Sequence, residues 1–287
     1  MIAQLVFNGL ITGAIVALPA LALTVVFGIL RFPNFAVGAM LTLGAYAAWA
    51  VNVLLGAPLL LAAAIACIIL GLVCAASDKL VFAKLRDRSA ITLLVASMGL
   101  AFVLENICRF AFGNEARNFA IAVARPIRWY GLRVNHEQLV IGLTVLACLI
   151  AVFVLLRFTT LGRAMRAVAD NPPLAEVRGI DRETIARITW LIAGAVMALA
   201  GVLIGMDRAI DPLVGWNYQL SVFAAAILGG LGSPIGAVAG ALTIGIAEEL
   251  STLVIPTHYR QAIAFAVIVV LLLIRPHGLF GKRAIRK

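Results

Sequence analysis

The chain has 287 residues, of which 63% are hydrophobic and 13% are charged, and its mean hydropathy is +1.09. An ordinary soluble domain is excluded, because this much apolar surface exceeds what one water-facing core can bury. The net charge of +10 does not indicate nucleic-acid binding, because the Lys and Arg residues fall in short gaps between apolar segments and not along one basic face. The composition therefore predicts a membrane protein with basic loops.

Apolar segments divide the chain into candidate membrane helices, since a transmembrane helix needs about twenty mostly apolar residues. The first segment has no charged start and no small-residue cleavage site, so we expect it to be retained as a span. Residues 217–254 allow two interpretations, either two crossings joined at 229–234 or one discontinuous helix broken inside the membrane. The prediction is an all-α polytopic fold with eight or nine transmembrane helices. The predicted spans are 3–27, 34–52, 58–77, 90–111, 137–157, 186–206, 235–254 and 259–275, with a shorter segment at 217–230.

Orientation follows from the distribution of Lys and Arg between the two sides. If the central segment (residues 158–187) and the C-terminus lie inside, sixteen of the 23 Lys and Arg residues fall on the inner side. The positive-inside bias therefore predicts an outside N-terminus and a cytoplasmic C-terminus. Small residues at close spacing, as in Gly9-x-x-x-Gly13 and Gly236-x-x-x-Gly240, predict closely packed helices.

Nothing in the sequence indicates a catalytic, cofactor or metal site. The chain lacks the Gly-x-x-x-x-Gly-Lys-[Ser/Thr] phosphate loop, a GxSxG elbow and an HExxH pair. Its cysteines lie in apolar segments without a CxxC pair, and we interpret them as packing residues. The cysteines are Cys67, Cys74, Cys108 and Cys148, and the three histidines, His136, His258 and His277, lie in separate loops.

The central segment contains signals for a short helix exposed between two long ones. Asn171 followed by two prolines is typical of a helix start, and Gly179 suits the left-handed residue that ends a helix. Asp181 and Glu183 then favour the start of the next helix. A helix of one or two turns is unstable alone in water, so we expect it to pack against this protein's own helices or against a second protein.

Motifs along nearly the whole chain resemble the branched-chain amino-acid ABC-transporter permeases, the Liv-type family. In the central segment they are Arg163-Ala164-x-Arg166-Ala167, Asp170, Ala175 and Gly179-Ile180-Asp181. Elsewhere they are Asn8-Gly9, Gly28-Ile29, Asn34-Phe35-Ala36-x-Gly38, the run from Phe223 to Ala237 (FAAAILGGLGSPIGA), and Arg275-Pro276-x-Gly278-Leu279-Phe280-Gly281. The resemblance implies one permease domain over residues 1–287, with 158–187 as its cytoplasmic coupling loop.

The resemblance also implies partners and a location. The partners are a second permease chain, expected to be a paralogue, two cytoplasmic ATP-binding subunits and a periplasmic substrate-binding protein, all assembled at the bacterial inner membrane. The coupling helix 171–179 is expected to contact the ATPases. The residues assigned to coupling are Arg163, Arg166, Asp170, Leu174, Ala175, Val177, Arg178 and Gly179. We expect Leu174, Ala175 and Val177 to pack into an ATPase groove, with Arg166 and Arg178 at its rim.

Polar residues within the apolar segments are candidates for a substrate pathway. Uncharged groups can bind a substrate without a large desolvation cost, and buried carboxylates are functional candidates by default. The pathway candidates are Asn34, Thr42, Asn217, Gln219, Glu248 and Glu249. Glu105, four residues before Arg109 on one predicted helix, is interpreted instead as half of a local ion pair.

The chain departs from the family pattern at three positions near this predicted pathway. Val37 and Ala39 stand where the pattern has His and Glu, and Ser221 stands where a Lys is frequent. A less polar or neutral substrate is favoured by these changes. The expected function is therefore an ATP-driven importer permease for branched-chain amino acids or a related small solute. The alternative is a secondary transporter or channel driven by an ion gradient, with Glu248 or Glu249 as the ion site.

Overall fold

The computed structural model describes residues 2–86, 88–121, 127–129, 132–254, 256, 259–274 and 278–279, and twelve α-helices lie within them. Long apolar segments form helices because lipid offers no hydrogen bonds to exposed backbone groups. The helices are α1 (Ile2–Leu30), α2 (Val37–Trp49), α3 (Leu59–Ser77), α4 (Ala83–Leu85), α5 (Ala90–Phe112), α6 (His136–Phe158), α7 (Thr160–Asp170), α8 (Pro172–Val177), α9 (Arg182–Asp207), α10 (Val214–Gly229), α11 (Pro234–Ser251) and α12 (Arg260–Ile274). Two π-helical turns, Ala50–Leu54 and Asp78–Phe82, extend α2 and α3.

Six helical segments in the described part of the chain are long and apolar enough to cross a membrane. They are Ile2–Leu30, Val37–Leu54, Leu59–Leu85, Ala90–Phe112, His136–Phe158 and Arg182–Asp207. Three further apolar helices, α10, α11 and α12, follow them. The chain is thus an all-α, multi-pass membrane protein, and its described strands are the antiparallel pair β1 (Ile127–Trp129) and β2 (Leu132–Val134).

Burial divides the long helices into a central and a peripheral group. Most residues of α1, α2 and α9 are buried, whereas most residues of α3, α5 and α6 are not. Large apolar side chains such as Phe110 on α5 and Leu143 on α6 are exposed on the isolated chain. Because the protein is a membrane protein, these outer faces are suited to contact with lipid or with another chain.

The centre is closely packed because small residues let backbones approach. Gly9 and Gly13 of α1 face Gly245 and Ala241 of α11, where an added methyl group would lie within 3 Å of backbone atoms. This pairing runs antiparallel and confirms that the glycine spacing of α1 marks a helix contact.

Helices α10 and α11 form an antiparallel hairpin. Gly229 lies against Gly236, and Gly240 lies against the Ala225 carbonyl, so the two helices touch on both sides of the 230–233 link. Gly230 and Gly232 in this link have φ angles of +97° and +91°, which glycine adopts readily. Residues 214–251 thus form two separate helices packed against each other.

The chain between α1 and α2 is non-helical and enters the protein interior. The Asn34 side-chain oxygen accepts a hydrogen bond from the Ala36 N–H at 3.0 Å, and the Phe35 N–H donates to the Ser97 hydroxyl at 3.0 Å. The Phe35 ring lies 4.6 Å from the ring of Phe223 on α10. The predicted span from residue 34 thus begins as helix only at Val37, because these polar contacts satisfy a non-helical backbone inside the bundle.

Candidate functional site

The central segment folds as two short helices at one end of the bundle. The Thr159 hydroxyl caps α7 by accepting the Gly162 N–H at 3.0 Å, and the Asn171 side chain caps α8 by accepting the Leu174 N–H at 3.2 Å. Gly179 has φ +80° and follows α8, with its N–H bonded to the Glu176 carbonyl. The predicted helix start at Asn171 and helix end at Gly179 are both confirmed.

The exposed apolar surface of α8 consists of two side chains. Leu174 is 56% exposed and Val177 is 83% exposed, and because they lie three residues apart they share one face of the helix. Ala175 is only 3% exposed. The expectation that Ala175 packs into a partner is corrected, because its methyl group already faces this chain's own interior.

The predicted coupling residues differ in the contacts that they make within this chain. Arg163, Arg178 and Gly179 are exposed at the surface. Arg166 and Asp170 are exposed as well, and the Arg166 guanidinium donates a hydrogen bond to the Leu156 carbonyl near the end of α6. Arg166 and Asp170 line a cavity of about 230 Å³ with residues at the ends of α1, α6 and α11. The expected position of Arg166 at the rim of an ATPase contact stays a prediction.

Asp181 connects this segment to α9. Its carboxylate accepts hydrogen bonds from the Thr184 hydroxyl and from the Glu183 N–H, the latter at 3.0 Å. These bonds hold the pKa of Asp181 below its ordinary value, the Thr184 hydroxyl contributing most. The predicted cap of α9 is confirmed, and it is ionised at neutral pH.

Two of the predicted pathway residues meet at the crossing of α2 and α10. The Thr42 hydroxyl accepts the Gly215 N–H at 3.0 Å and donates to the Gly38 carbonyl at 3.2 Å. A methyl group added at Gly215 would lie 1.8 Å from the Gly38 carbonyl oxygen, so the two backbones are in direct contact. Gln219, one turn along α10, reaches the same point, since its side-chain oxygen lies 2.5 Å from where a Gly38 methyl would be.

Gln219 is the unusual member of this group. The side chain is buried, with 6% of its surface exposed, and its amide oxygen has no hydrogen-bond partner within the described part of the chain. A buried polar atom left without a partner costs free energy, and a bound polar molecule could supply the missing hydrogen bond. The Asn34 side chain, by contrast, has partners for both its polar atoms. Its oxygen accepts from the Ala36 N–H, and its nitrogen donates to the Met40 sulfur, 3.8 Å away.

The remaining pathway candidates lie elsewhere. Glu248 of α11 is buried and accepts a hydrogen bond of 2.5 Å from the Ser221 hydroxyl on α10. Glu249 is half-buried and Asn217 is exposed. The structure thus joins Thr42 and Gln219 at one helix crossing, and it joins Glu248 to the position that departs from the family pattern.

A contact near this crossing carried no sequence signal. Glu105 pairs with Arg109 at 2.7 Å as predicted, but its other oxygen accepts a hydrogen bond of 2.5 Å from the Trp216 indole N–H. This bond ties α5 to the first turn of α10, beside Gly215. Spacing along one helix revealed the first partner, whereas the second lies 111 residues away in sequence.

The protein is a multi-pass helical bundle with polar groups at a buried helix crossing and a short exposed helix in a basic segment at one end. This is the architecture of a membrane transport permease. Residues 5–272 match the family described as branched-chain amino acid transport system / permease component. The chain therefore belongs to this family.

Similar proteins agree over almost the full length. The chain is 29% identical over 300 residues to the high-affinity branched-chain amino acid transport system permease protein LivH of Escherichia coli (strain K12), covering 99% of this chain and 97% of that protein. Identity and coverage are the same for the corresponding protein BraD of Pseudomonas aeruginosa. Among solved structures, PsaBC from Streptococcus pneumoniae in complex with Fab has a TM-score of 0.51 at 14% identity, covering 96% of this chain and 97% of that one, a likeness in fold alone.

Proposed function

We propose that this chain is the membrane-spanning permease subunit of an ATP-driven importer in the bacterial inner membrane, with residues 1–287 forming one permease domain. The observation that carries the proposal is the family match over residues 5–272. The relatives are named as permeases of branched-chain amino acid transport, which supports transport as the activity and these amino acids or related small solutes as the substrates.

The partners follow from this role. ATP hydrolysis takes place on two cytoplasmic ATP-binding subunits, because this chain has no phosphate-binding loop. A second permease chain, a paralogue, completes the membrane part, and a periplasmic binding protein delivers the substrate. The exposed pair Leu174 and Val177 is the apolar contact offered to an ATPase, with Arg178, the residue after Val177, beside it and Arg166 at its rim.

The proposed topology has nine crossings, with the N-terminus outside and the C-terminus in the cytoplasm. The hairpin of α10 and α11 supports counting these helices separately. With α12 counted as a further crossing, successive crossings alternate in direction, and α7 and α8 lie inside. The nine crossings are α1, α2, α3, α5, α6, α9, α10, α11 and α12. The excess of Lys and Arg on that side supports the same orientation.

The proposed pathway passes the crossing of α2 and α10. Thr42 and Gln219 offer uncharged polar groups there, beside the close backbone contact of Gly38 and Gly215. Val37 and Ala39, both buried, provide no charge near this point. A site of this kind is suited to a small solute bound by hydrogen bonds and apolar contacts, and the side chain of a branched-chain amino acid meets the second requirement.

Transport is alternating access driven by ATP. The ATPases close on ATP, α8 moves with them, and the attached helix α9 tilts to open the pathway on one side. Nucleotide drives this change only if it binds the two states with different affinity, so the contact at α8 must differ between them.

The test is uptake into proteoliposomes containing this chain, its paralogue and the ATPases, with binding protein and labelled leucine outside. ATP is trapped inside, and ion gradients are abolished. We expect uptake that requires internal ATP, with urea and other small solutes offered as competitors to rank the substrates. Uptake without ATP that follows an imposed proton or sodium gradient would contradict the proposal and support the secondary-transporter alternative.

A further inference from the structure

Three charged residues form an ion-pair network where the inner end of α3 meets the start of α9. Arg86 contacts both carboxylate oxygens of Asp78, at 2.7 Å and 2.9 Å, and its other terminal nitrogen donates to Glu183 at 2.7 Å. The side chains of Arg86 and Asp78 are 5% and 1% exposed, whereas that of Glu183 is 48% exposed. One guanidinium thus holds a buried carboxylate and a half-exposed carboxylate together.

Local structure explains how these residues meet. The π-helical turn Asp78–Phe82 begins at Asp78, and π-turns inside α-helices frequently occur at functional sites. The Phe82 ring stacks on the Trp190 ring of α9 with centroids 5.1 Å apart and an interplanar angle of 6°. This stacking places the end of the α3–α4 segment against α9, where Arg86 reaches the first turn of α9.

The network lies next to the proposed coupling helix. Only residues 178–181 separate α8 from α9, and Glu183 is in the first turn of α9. Helix α9 is central to the bundle and mostly buried. A movement of α8 therefore acts first on the start of α9, at the point where Arg86 connects it to α3.

We propose that Arg86 is a positioning residue that couples the movement of α8 and α9 to α3 during transport. This inference rests on the proposed function, because it assigns a transmission step to the same coupling helix. Arg86 stays bound to Asp78 and moves with α3, while its contact with Glu183 forms in one state of the transport cycle and opens in the other.

The difference in burial decides which contact opens. Removing one partner of the Arg86–Asp78 pair would leave an uncompensated buried charge, so this pair stays closed. Glu183 can regain water when it leaves Arg86, because half of its side chain is already exposed. The two carboxylates thus act as a fixed anchor and a releasable contact.

The test measures solute imported per ATP hydrolysed by the full reconstituted complex, with Glu183→Ala and Glu183→Gln in this chain. The Asp181 cap stays in both variants, so the helix start is preserved. We expect Glu183→Ala to lower the transport-to-hydrolysis ratio roughly two- to fivefold, the range for breaking a partly exposed ion pair. Glu183→Gln keeps an acceptor oxygen and should lower the ratio less.

Glu115→Ala is the matched control, because that glutamate is 85% exposed and lies outside the network. Arg86→Lys is the second variant, since Lys keeps the charge beside Asp78 but loses the planar fork that serves two carboxylates. A ratio equal to that of the unmodified complex in both Glu183→Ala and Arg86→Lys would overturn the proposal. If the unmodified complex imports nothing with ATP, the proposed function itself fails, which is a different result.

Discussion

Replacing Gly215 by Ala tests whether the contact between α2 and α10 is as close as the structure indicates. The new methyl group would lie 1.8 Å from the Gly38 carbonyl oxygen, whereas ordinary contacts begin at about 3.4 Å. The two backbones must therefore separate by roughly 1.6 Å at this point. The hydrogen bond from the Gly215 N–H to Thr42, now 3.0 Å long, would be stretched or broken.

The cost can be worked from these two effects. Overpacking a close contact costs about 1–3 kcal/mol, and the lost hydrogen bond adds about 1 kcal/mol. Each kcal/mol lowers Tm by about 2–4 °C in a large domain, so we expect a fall of at least about 4 °C. The proposed pathway lies at the same crossing, so ATP-dependent uptake should also fall.

The assay is thermal unfolding of the purified protein in detergent, followed by uptake in proteoliposomes. Gly38→Ala should be milder than Gly215→Ala, because its methyl would lie 2.7 Å from the nearest backbone atom, the Gly215 carbonyl oxygen, and 2.5 Å from the flexible Gln219 side chain. Gly28→Ala is the control, since an added methyl meets nothing within 4 Å. If Gly215→Ala unfolds within about 2 °C of the Gly28→Ala control, the reasoning about a direct backbone contact is refuted.

Three further predictions concern the coupling helix, the pathway and the α9 cap. Val177→Asp should lower ATP-dependent uptake more than about tenfold, because it places an unpaired charge in the proposed ATPase contact. Val254→Asp is the control, since this valine is equally exposed at the other end of the bundle, and it should not lower uptake in this way. An equal loss of uptake in both variants would argue against docking at α8. Gln219→Leu should raise the solute concentration for half-maximal uptake roughly two- to tenfold. It should not lower Tm, because the Gln219 oxygen has no hydrogen bond to lose inside the described chain. Uptake kinetics and thermal unfolding measure the two effects, and a lower Tm with unchanged kinetics would contradict the prediction. The ionised Asp181 cap should stabilise the start of α9 fully at pH values above the ordinary carboxyl pKa of about 4. This stabilisation should be lost as the pH falls through the lower pKa that Asp181 has in the folded protein. Amide hydrogen exchange at the start of α9 should show the loss of protection, and Asp181→Ala should lack that protection at every pH.

Much of the fold and part of the candidate site could be predicted from local patterns. The apolar segments located the long helices to within a few residues at most ends, because a span in lipid requires a continuous apolar run. Asn171, Gly179 and Asp181 marked helix ends correctly, since capping depends on neighbouring backbone groups. The pair of Glu105 and Arg109 followed from their spacing on one helix.

Contacts between distant segments were beyond such patterns. Ala175 was assigned to docking through its place in the family motif, but only the packing of α8 shows which face of that helix is covered. The bonds from Trp216 to Glu105 and from Arg86 to Glu183 join residues about a hundred positions apart. The C-terminal motif from Arg275 to Gly281 lies largely outside the described residues.

The sequence by itself determined that the protein is a helical membrane protein, and it located the long helices and indicated the family. It could do so because composition, periodicity and local caps depend on residues close together in the chain. The tertiary structure decided which polar groups meet. It brought Thr42, Gly215 and Gln219 to one helix crossing and placed Arg86 between α3 and α9. These outcomes depend on how helices cross, and helix crossing is set by the close fit of small residues on separate segments, which no single stretch of sequence encodes.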